Sequence, residues 1–560
     1  MINDLEKAIK KAQLFLLDRQ KDTGEWSGSL YYNGWTNATY ILTLNFIGIT
    51  NDESIEKAAQ WLLDHQNADG SWGVFDFRGS PSSLEVTCQV VLALKSAGYS
   101  DRPEVIKAEE YITDRGGVMN TQLITQAYHS IFGKFWWNYL FPISVPSELF
   151  LIPTSLNTNL FATWGMVGFV PILTLSTLCQ TNPENLSTTQ KTAMGKAKAW
   201  LIDQQNNDGS WYNTILPTSL SIMALYKMGM SADHPRIKAA VRFMKSLQNT
   251  EGYVHRYKYP VWNTVLVLLA LIESGFPTND SRLAKSGKWL IDAQTGSEGY
   301  SWPFNPNNIR YPDVDDTAFA IAVLKKLDFD SRNKDEAIRK GIDWVLKMQG
   351  EDGGWAAFTK NQSKKRKGVP AAFLEDPSVA DIVGHVFLGL GYNGYDTSSP
   401  CIKRAIDWLQ QDQYDGSWYG RWGVCYTYGT GATLVGLNCV GENMKKDYVQ
   451  KAVKWIKSHQ NSDGGWGEDY LSYYYPWFAG CGESTAEQTA WAVMGLIAAG
   501  EDPYSDTLKN GINYLLEYQT GDGCWASNYV DAALWVYKDS LYSTVFPLTA
   551  LGMYRKKIQS

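Results

Sequence analysis

The chain has 560 residues, 44% of them hydrophobic and 19% charged, with a net charge of -7 and a pI near 5.6. That balance is globular and the length exceeds what one hydrophobic core usually organises, so two domains are expected; the acidic charge, without an extended basic stripe, argues against nucleic acid as a partner. The seven cysteines are scattered, odd in number and without a Cys-x-x-Cys pair, which points to a reducing compartment and no structural zinc.

The opening residues, Met1-Ile2-Asn3-Asp4-Leu5-Glu6-Lys7, carry no charged-then-apolar leader. A cytoplasmic protein is expected, with peripheral contact at the cytoplasmic membrane face left open. From Gln20 onward a pattern Gln-x-x-x-Gly-x-Trp recurs, intact at Gln20/Gly24/Trp26, Gln66/Gly70/Trp72, Gln205/Gly209/Trp211, Gln349/Gly353/Trp355, Gln460/Gly464/Trp466 and Gln519/Gly523/Trp525. Degenerate copies stand near Gln248/Gly252 and Gly299/Trp302, and at Gly416/Trp418, where Asp412 takes the place of the glutamine. Each copy follows an amphipathic stretch and precedes a more apolar one. The glycine is expected to stop the first helix in a left-handed conformation, the glutamine amide to satisfy loose helix-end groups, and the indole to cover them. Alternating outer and inner helices close naturally as an α/α-barrel, so the Gln and Trp residues of the repeats are read as staples of an all-α scaffold.

The first barrel is expected over residues 20–235. It contains the least regular segment, 131–179, dense in Phe, Trp and Pro. No run there reaches the ~18 uninterrupted apolar residues of a membrane-spanning helix. The best candidate, 164–175, is interrupted by Pro171. A patch lying on a membrane and the wall of an apolar pocket both fit this composition.

The second barrel is expected over 236–560. Its most pointed motif is Tyr311-Pro312-Asp313-Val314-Asp315-Asp316-Thr317-Ala318, which reads as the first turn of a buried helix with Pro312 near the first helical position. A calcium loop fails, because the sixth position from Asp313 is Ala318 and the twelfth is Leu324. The helix dipole favours ionised carboxylates by roughly 0.3–1 kcal/mol each. Crowding of like charges in a poorly hydrated place raises a pKa by more, so one member is expected to stay protonated beside ionised neighbours. The loop Lys364-Lys365-Arg366-Lys367 reads as a solvated insertion, with contact to an anionic substrate or lipid headgroup as the alternative. Further on, Asp381 and His385 share one helical face, an arrangement in which Asp381 would hold the imidazole charged and oriented. A protonated acid with a cation beside it suits protonation of a carbon-carbon double bond; the resulting carbocation needs aromatic faces, each contributing up to ~2 kcal/mol when dry, and no water.

The acid motif together with the repeats resembles the squalene-hopene cyclases, the class II terpene cyclases. Further matches are Gly420-Arg421-Trp422-Gly423-Val424-Cys425-Tyr426-Thr427-Tyr428-Gly429-Thr430, Ser484-Thr485-Ala486-Glu487-Gln488-Thr489-Ala490-Trp491-Ala492 and Val145-Pro146-Ser147-Glu148. The resemblance implies two α/α-barrels of β and γ type, an N-terminal helix (1–19) joining the second barrel, and an active cavity between the barrels. It implies Asp315 as proton donor, Asp313 and Asp316 as tuning carboxylates, His385 held by Asp381 as partner, and Tyr428 as a reprotonation aid. It places Trp164, Trp262, Phe304, Phe358, Trp422 and Tyr426 against the substrate. It implies no cofactor or metal.

Two departures from the family pattern matter. The stretch between the apolar segment and the repeat at Trp200 is short, only 180–199, which weakens the case for firm membrane anchoring. Near the C-terminus, Trp535 can stand for one ring of a Phe-rich cradle, but Asp531 and Asp539 fall where aromatics are expected. The resulting expectation is metal-independent, protonation-initiated cyclisation of a linear polyprenoid, leaning to a prenylated aromatic acid. The alternatives are a squalene-type hydrocarbon, a diterpene diphosphate and a non-catalytic helical-barrel scaffold.

Overall fold

The computed structural model describes residues 2–28, 33–74, 80–134, 163–361, 376–526, 530–532, 535–537 and 540–559. The chain divides into two units, Ser29–Lys258 and Met1–Gly28 with Tyr259–Ser560. These divisions fall at 28/29 and 258/259, where the sequence expectation put 19/20 and 235/236. Val145-Pro146-Ser147-Glu148, the basic loop 364–367, Asp539, and the side chains of Trp164, Asp531 and Trp535 lie outside the described residues.

Helix α1 is Ile2–Asp18. The unit Ser29–Lys258 then contributes α2 (Gly34–Phe46), α3 (Glu53–Asp64), α4 (Leu84–Ser96), α5 (Pro103–Asp114), α6 (Leu123–Ile131), α7 (Thr163–Gln180), α8 (Thr188–Gln204), α9 (Ile215–Lys227) and α10 (Pro235–Ser246). Helices α2, α4, α6, α7 and α9 neighbour one another in a closed circuit, with α3, α5, α8 and α10 packed outside it. Pro171 does not end its element. Helix α7 runs through it, losing the one bond that proline cannot donate while its neighbours keep theirs. Among the described residues, no helix is long and apolar enough to cross a membrane.

The other unit adds α11 (Pro260–Glu273), α12 (Ser281–Asp292), α13 (Val314–Lys326), α14 (Lys334–Met348), α15 (Ala380–Tyr392), α16 (Pro400–Asp412), α17 (Cys425–Cys439), α18 (Asp447–Ser458), α19 (Ala486–Ala498), α20 (Asp506–Glu517) and α21 (Ser540–Gln559). Here α11, α13, α15, α17, α19 and α21 form the inner ring, closed by contact of α21 with α11. Helices α12, α14, α16, α18 and α20 lie outside, and α1 takes the sixth outer place, against α20 and α21. A Cβ on Gly384 would stand 2.5 Å from the Ala432 carbonyl oxygen, and one on Gly391 2.5 Å from that of Cys439. The same step along both helices shows that α15 and α17 run parallel and touch backbone to backbone.

The repeat explains this alternation atom by atom. The indole N–H groups of Trp26, Trp72, Trp211, Trp355, Trp466 and Trp525 donate to the carbonyls ten residues earlier, at 2.6–2.8 Å. The carbonyl at the end of each outer helix is therefore satisfied by the tryptophan, not by the glutamine as the sequence suggested. The glutamine amide instead donates across the turn to the repeat glycine, and again to a carbonyl of the next outer helix. Gln349 thus reaches Gly353 and Cys401, both at 2.8 Å. Gln519 reaches Ala8 at 3.0 Å and Gln20 reaches Arg282 at 2.9 Å, which is how α1 is built into the ring. In the degenerate copy the amide comes from Gln413, bonded to Gly416 and Tyr448, so Asp412 is not the substitute. Gly353 has φ +94, a conformation that L side chains rarely adopt.

Trp355→Phe would leave the buried Val345 carbonyl without its donor. The expected result is a loss of about 1–3 kcal/mol, read as a lower midpoint in urea unfolding.

Among the described residues, four short strands accompany the helices: β1 (Trp72–Gly73) paired with β2 (Ser82–Ser83), and β3 (Val530–Ala532) paired with β4 (Trp535–Tyr537), both antiparallel.

Candidate active site

Asp313 is the N-cap of α13, its side chain accepting the N–H of Asp315 at 2.9 Å. Pro312 therefore lies before the helix rather than at its first position. Asp315 and Asp316 fall in the first turn, and all three acids are buried, at 6%, 3% and 1% exposure. Burial first, then the charges of Asp315 and Asp376, holds the Asp313 carboxyl well above the usual carboxylate range. Burial, with Asp313 and Asp315 beside it, does the same to Asp316. The two neighbours expected to be ionised are thus the ones pushed toward the neutral form, and among the described residues no cation pairs with either.

The cation faces Asp315. His385 Nδ1 on α15 lies 2.6 Å from Asp315 Oδ1. Burial alone would lower the imidazole pKa, but the charge and hydrogen bond of Asp315 and the charge of Asp381 outweigh it and raise it above 6.5. Asp381 is not hydrogen-bonded to His385, contrary to the expectation. Its Oδ2 accepts the N–H groups of Arg421 and Trp422 at 3.0 and 3.2 Å, and its Oδ1 has no partner. It acts on the imidazole through charge, with its own pKa pushed to about 6 by burial and by Asp315.

Behind these groups lies a second polar layer for which the sequence reading assigned no role. Asp376, fully buried, accepts the N–H groups of Phe358 and Thr359, each at 2.7 Å, and the Arg421 guanidinium, also at 2.7 Å. Glu468 accepts the N–H groups of Tyr426 and Thr427 at 3.0 and 2.8 Å, supplying the carboxylate cap that α17 lacks in its own sequence. The signals were present in Asp376-Pro377 and in the Arg of Gly420-Arg421-Trp422, but not the pairing.

One turn along from the acids, side chains from all six inner helices form a belt: Leu266, Phe319, His385, Tyr428, Trp491 and Phe546. The His385 ring lies 4.7 Å from Phe319 and 5.9 Å from Tyr428, Tyr428 lies 4.6 Å from Trp491, and Trp491 lies 5.4 Å from Phe546. The belt surrounds a cavity of about 40 Å³, room for a water or two and far too small for a polyprenoid. Trp262 stands edge-on to Phe319 and 6.5 Å from His385. Phe358 and Trp422 form a perpendicular pair at 6.1 Å, and Arg421 lies over Trp422. Phe304 and Tyr426 are buried, Tyr426 against Tyr419. Chemically, the arrangement is a buried carboxyl backed by an imidazole, with neutral acids to one side and ring faces around it.

Comparison with known proteins bears on this geometry. The squalene-hopene cyclase C-terminal domain model matches residues 258–556, and the corresponding N-terminal domain model matches 9–185 and 174–252. The squalene-hopene cyclase of Alicyclobacillus acidocaldarius is 32% identical over 99% of this chain and 98% of its own length. The dammaradiene synthase of Dryopteris crassirhizoma is 28% identical over 99% and 94%. Among solved structures, ent-copalyl diphosphate synthase from Streptomyces platensis superposes with a TM-score of 0.54 at 16% identity, covering 99% of this chain and 100% of that one.

Proposed function

The chain belongs to the squalene-hopene cyclase family, and from that premise we propose that Asp315 protonates the terminal double bond of a linear polyprenoid and so starts a cationic cyclisation into fused rings. The protein is a class II terpene cyclase, an enzyme of the isomerase type. The observation that carries the assignment of the donor is the 2.6 Å contact of Asp315 with His385, inside a cluster whose other acids are held neutral. An alkene is a feeble base. A carboxyl can protonate it only if the carboxylate left behind is stabilised, and an imidazolium at hydrogen-bond distance supplies that stabilisation in a buried site. Asp313 and Asp316, being neutral, add no repulsion to the new charge. Trp262, Phe304, Phe358, Trp422 and Tyr426 are the rings proposed to face the cations, and Tyr428 is proposed to help return the proton.

The substrate is proposed to be a linear polyprenoid of the squalene class, a reading supported by squalene-hopene cyclases among the relatives that span this chain. The prenylated aromatic acid reading rests on Asp531 and Asp539 and on the short stretch 180–199, and a diphosphate substrate would require a basic pocket and magnesium. The test is incubation of the purified protein, with and without EDTA, with squalene, a geranylgeranylated phenolic acid and geranylgeranyl diphosphate. Cyclised squalene in both EDTA arms is the expected result. Cyclisation of the diphosphate alone, lost on chelation, would refute it.

The role given to His385 has its own signature. Its raised pKa means that the imidazolium survives to higher pH than a free histidine and is lost as pH climbs through the raised value, so the rate falls on the alkaline side. His385→Gln is expected to lower kcat by about 10²-fold and to flatten that alkaline limb. A variant that keeps the limb unchanged would show that another group titrates.

A further inference from the structure

Asp381 and His385 stand four residues apart on one face of α15, a spacing at which an aspartate and an imidazole can pair, and yet the imidazole is left to Asp315. Burial and Asp315 push the Asp381 pKa to about 6, so Asp381 is mostly ionised at neutral pH and able to compete for the imidazole. What holds it away is the pair of N–H groups of Arg421 and Trp422 on its Oδ2. Residues 420–424 belong to neither helix nor strand, so side-chain contacts must set the direction of those N–H groups. One such contact is the Tyr473 hydroxyl, which donates to the Arg421 carbonyl at 2.8 Å and lies 2.9 Å from the Gly423 carbonyl. The C=O of Arg421 and the N–H of Trp422 belong to one planar trans peptide, in which the two bonds point opposite ways. A donor on the carbonyl therefore aims the N–H at Asp381 and polarises it, so that the two hydrogen bonds strengthen each other.

Tyr473 is itself held in place. It ends the 3-10 turn Tyr470–Tyr473 between α18 and α19, which Asp469 caps by accepting the Leu471 N–H at 2.8 Å. Its neighbour Ser472, 1% exposed, donates to the Cys425 sulfur at the start of α17 at 3.2 Å. The Tyr473 ring stands edge-on to Tyr419 at 6.0 Å, as Tyr419 does to Tyr426 at 5.8 Å. The segment it grips runs directly against the aromatic belt: a Cβ on Gly423 would lie 2.7 Å from the Tyr428 ring and 2.9 Å from that of Trp491.

We propose that Tyr473 is a positioning residue for the protonation step, whose hydroxyl holds the 421–422 peptide on Asp381 and so reserves the His385 imidazole for Asp315. This rests on the reading of Asp315 as the donor. Without the hydroxyl the N–H bonds to Asp381 loosen, and its carboxylate is free to turn along its own helix face to His385. An imidazolium shared between two carboxylates stabilises less of the charge that forms on Asp315. The Tyr473 hydroxyl acts through the peptide and transfers no proton.

The test is a double-mutant cycle, with whichever of squalene, the geranylgeranylated phenolic acid and geranylgeranyl diphosphate the wild type cyclises. Tyr473→Phe keeps the ring and its packing against Tyr419. It is expected to lower kcat about tenfold while KM stays within about twofold. Asp381→Asn is expected to lower kcat by no more than about 10²-fold. In that background no carboxylate on α15 competes for the imidazole, so adding Tyr473→Phe should change kcat by less than about twofold. A merely structural hydroxyl would act equally in both backgrounds, and equal effects would overturn the proposal. So would an unchanged kcat in Tyr473→Phe, loss of its fold on melting, or complete loss of turnover in Asp381→Asn, which would mean that Asp381 does more than stand aside. The donor assignment is read separately. Full turnover in Asp315→Asn would remove that premise, whereas a cyclase that needs Asp315 but not the Tyr473 hydroxyl would refute this role alone.

Discussion

Asp315→Asn is expected to reduce product formation from an accepted polyprenoid by about 10³-fold or more, with the protein still folded and still binding substrate. The amide is nearly isosteric, so the N-cap of α13 by Asp313 and the burial of the turn are preserved. What is lost is, among the described residues, the only oxygen acid at hydrogen-bond distance from His385. Asp313 and Asp316 do not replace it. Both hold their protons firmly, and neither has an imidazolium to receive the charge left behind, so their raised pKa values make them poor donors to a weak base. Mass spectrometry of products, with circular dichroism to confirm the fold, decides the matter. Unchanged turnover in the asparagine variant would remove Asp315 from the chemistry.

Arg421→Met is expected to destabilise the protein by about 3–5 kcal/mol, since it takes the guanidinium from a carboxylate with no solvent access. Asp376 would remain buried, holding the N–H groups of Phe358 and Thr359 but lacking its countercharge. The loss should be selective as well as global. The Arg421 and Trp422 N–H groups fix Asp381, and the Arg421 side chain lies over Trp422, so loosening of this segment would disturb the charge facing His385. Combining Arg421→Met with Asp376→Asn should recover part of the stability, because a neutral amide needs no cation. Guanidinium unfolding of the single and double variants measures both effects. A single variant within 1 kcal/mol of the parent would show that water solvates this pair.

Much of this protein is legible in local spacing. The Gln-x-x-x-Gly-x-Trp copies announce an outer helix, a left-handed stop and an inner helix, because an indole ten residues past a helix-end carbonyl and a glycine in the turn are interactions within one stretch of chain. The acid cluster likewise reads as a helix start, since Asp313 caps the N–H two residues on. The sequence by itself therefore determined the alternation of helices, the all-α barrel class and the position of the acids at a helix N-terminus.

Only the tertiary structure decided which charge meets which. The i,i+4 spacing of Asp381 and His385 places both on one face of α15, yet the imidazole pairs with Asp315, seventy residues earlier in the chain, and Asp381 turns to the backbone of 421–422. The Asp376–Arg421 pair, the neutrality of Asp313 and Asp316, and the grip of the Tyr473 hydroxyl on the 421–423 backbone have the same origin. Helical periodicity specifies a direction from the axis, whereas a partner's identity and a group's protonation depend on what the neighbouring helix carries at that height and on how much water the closed ring excludes.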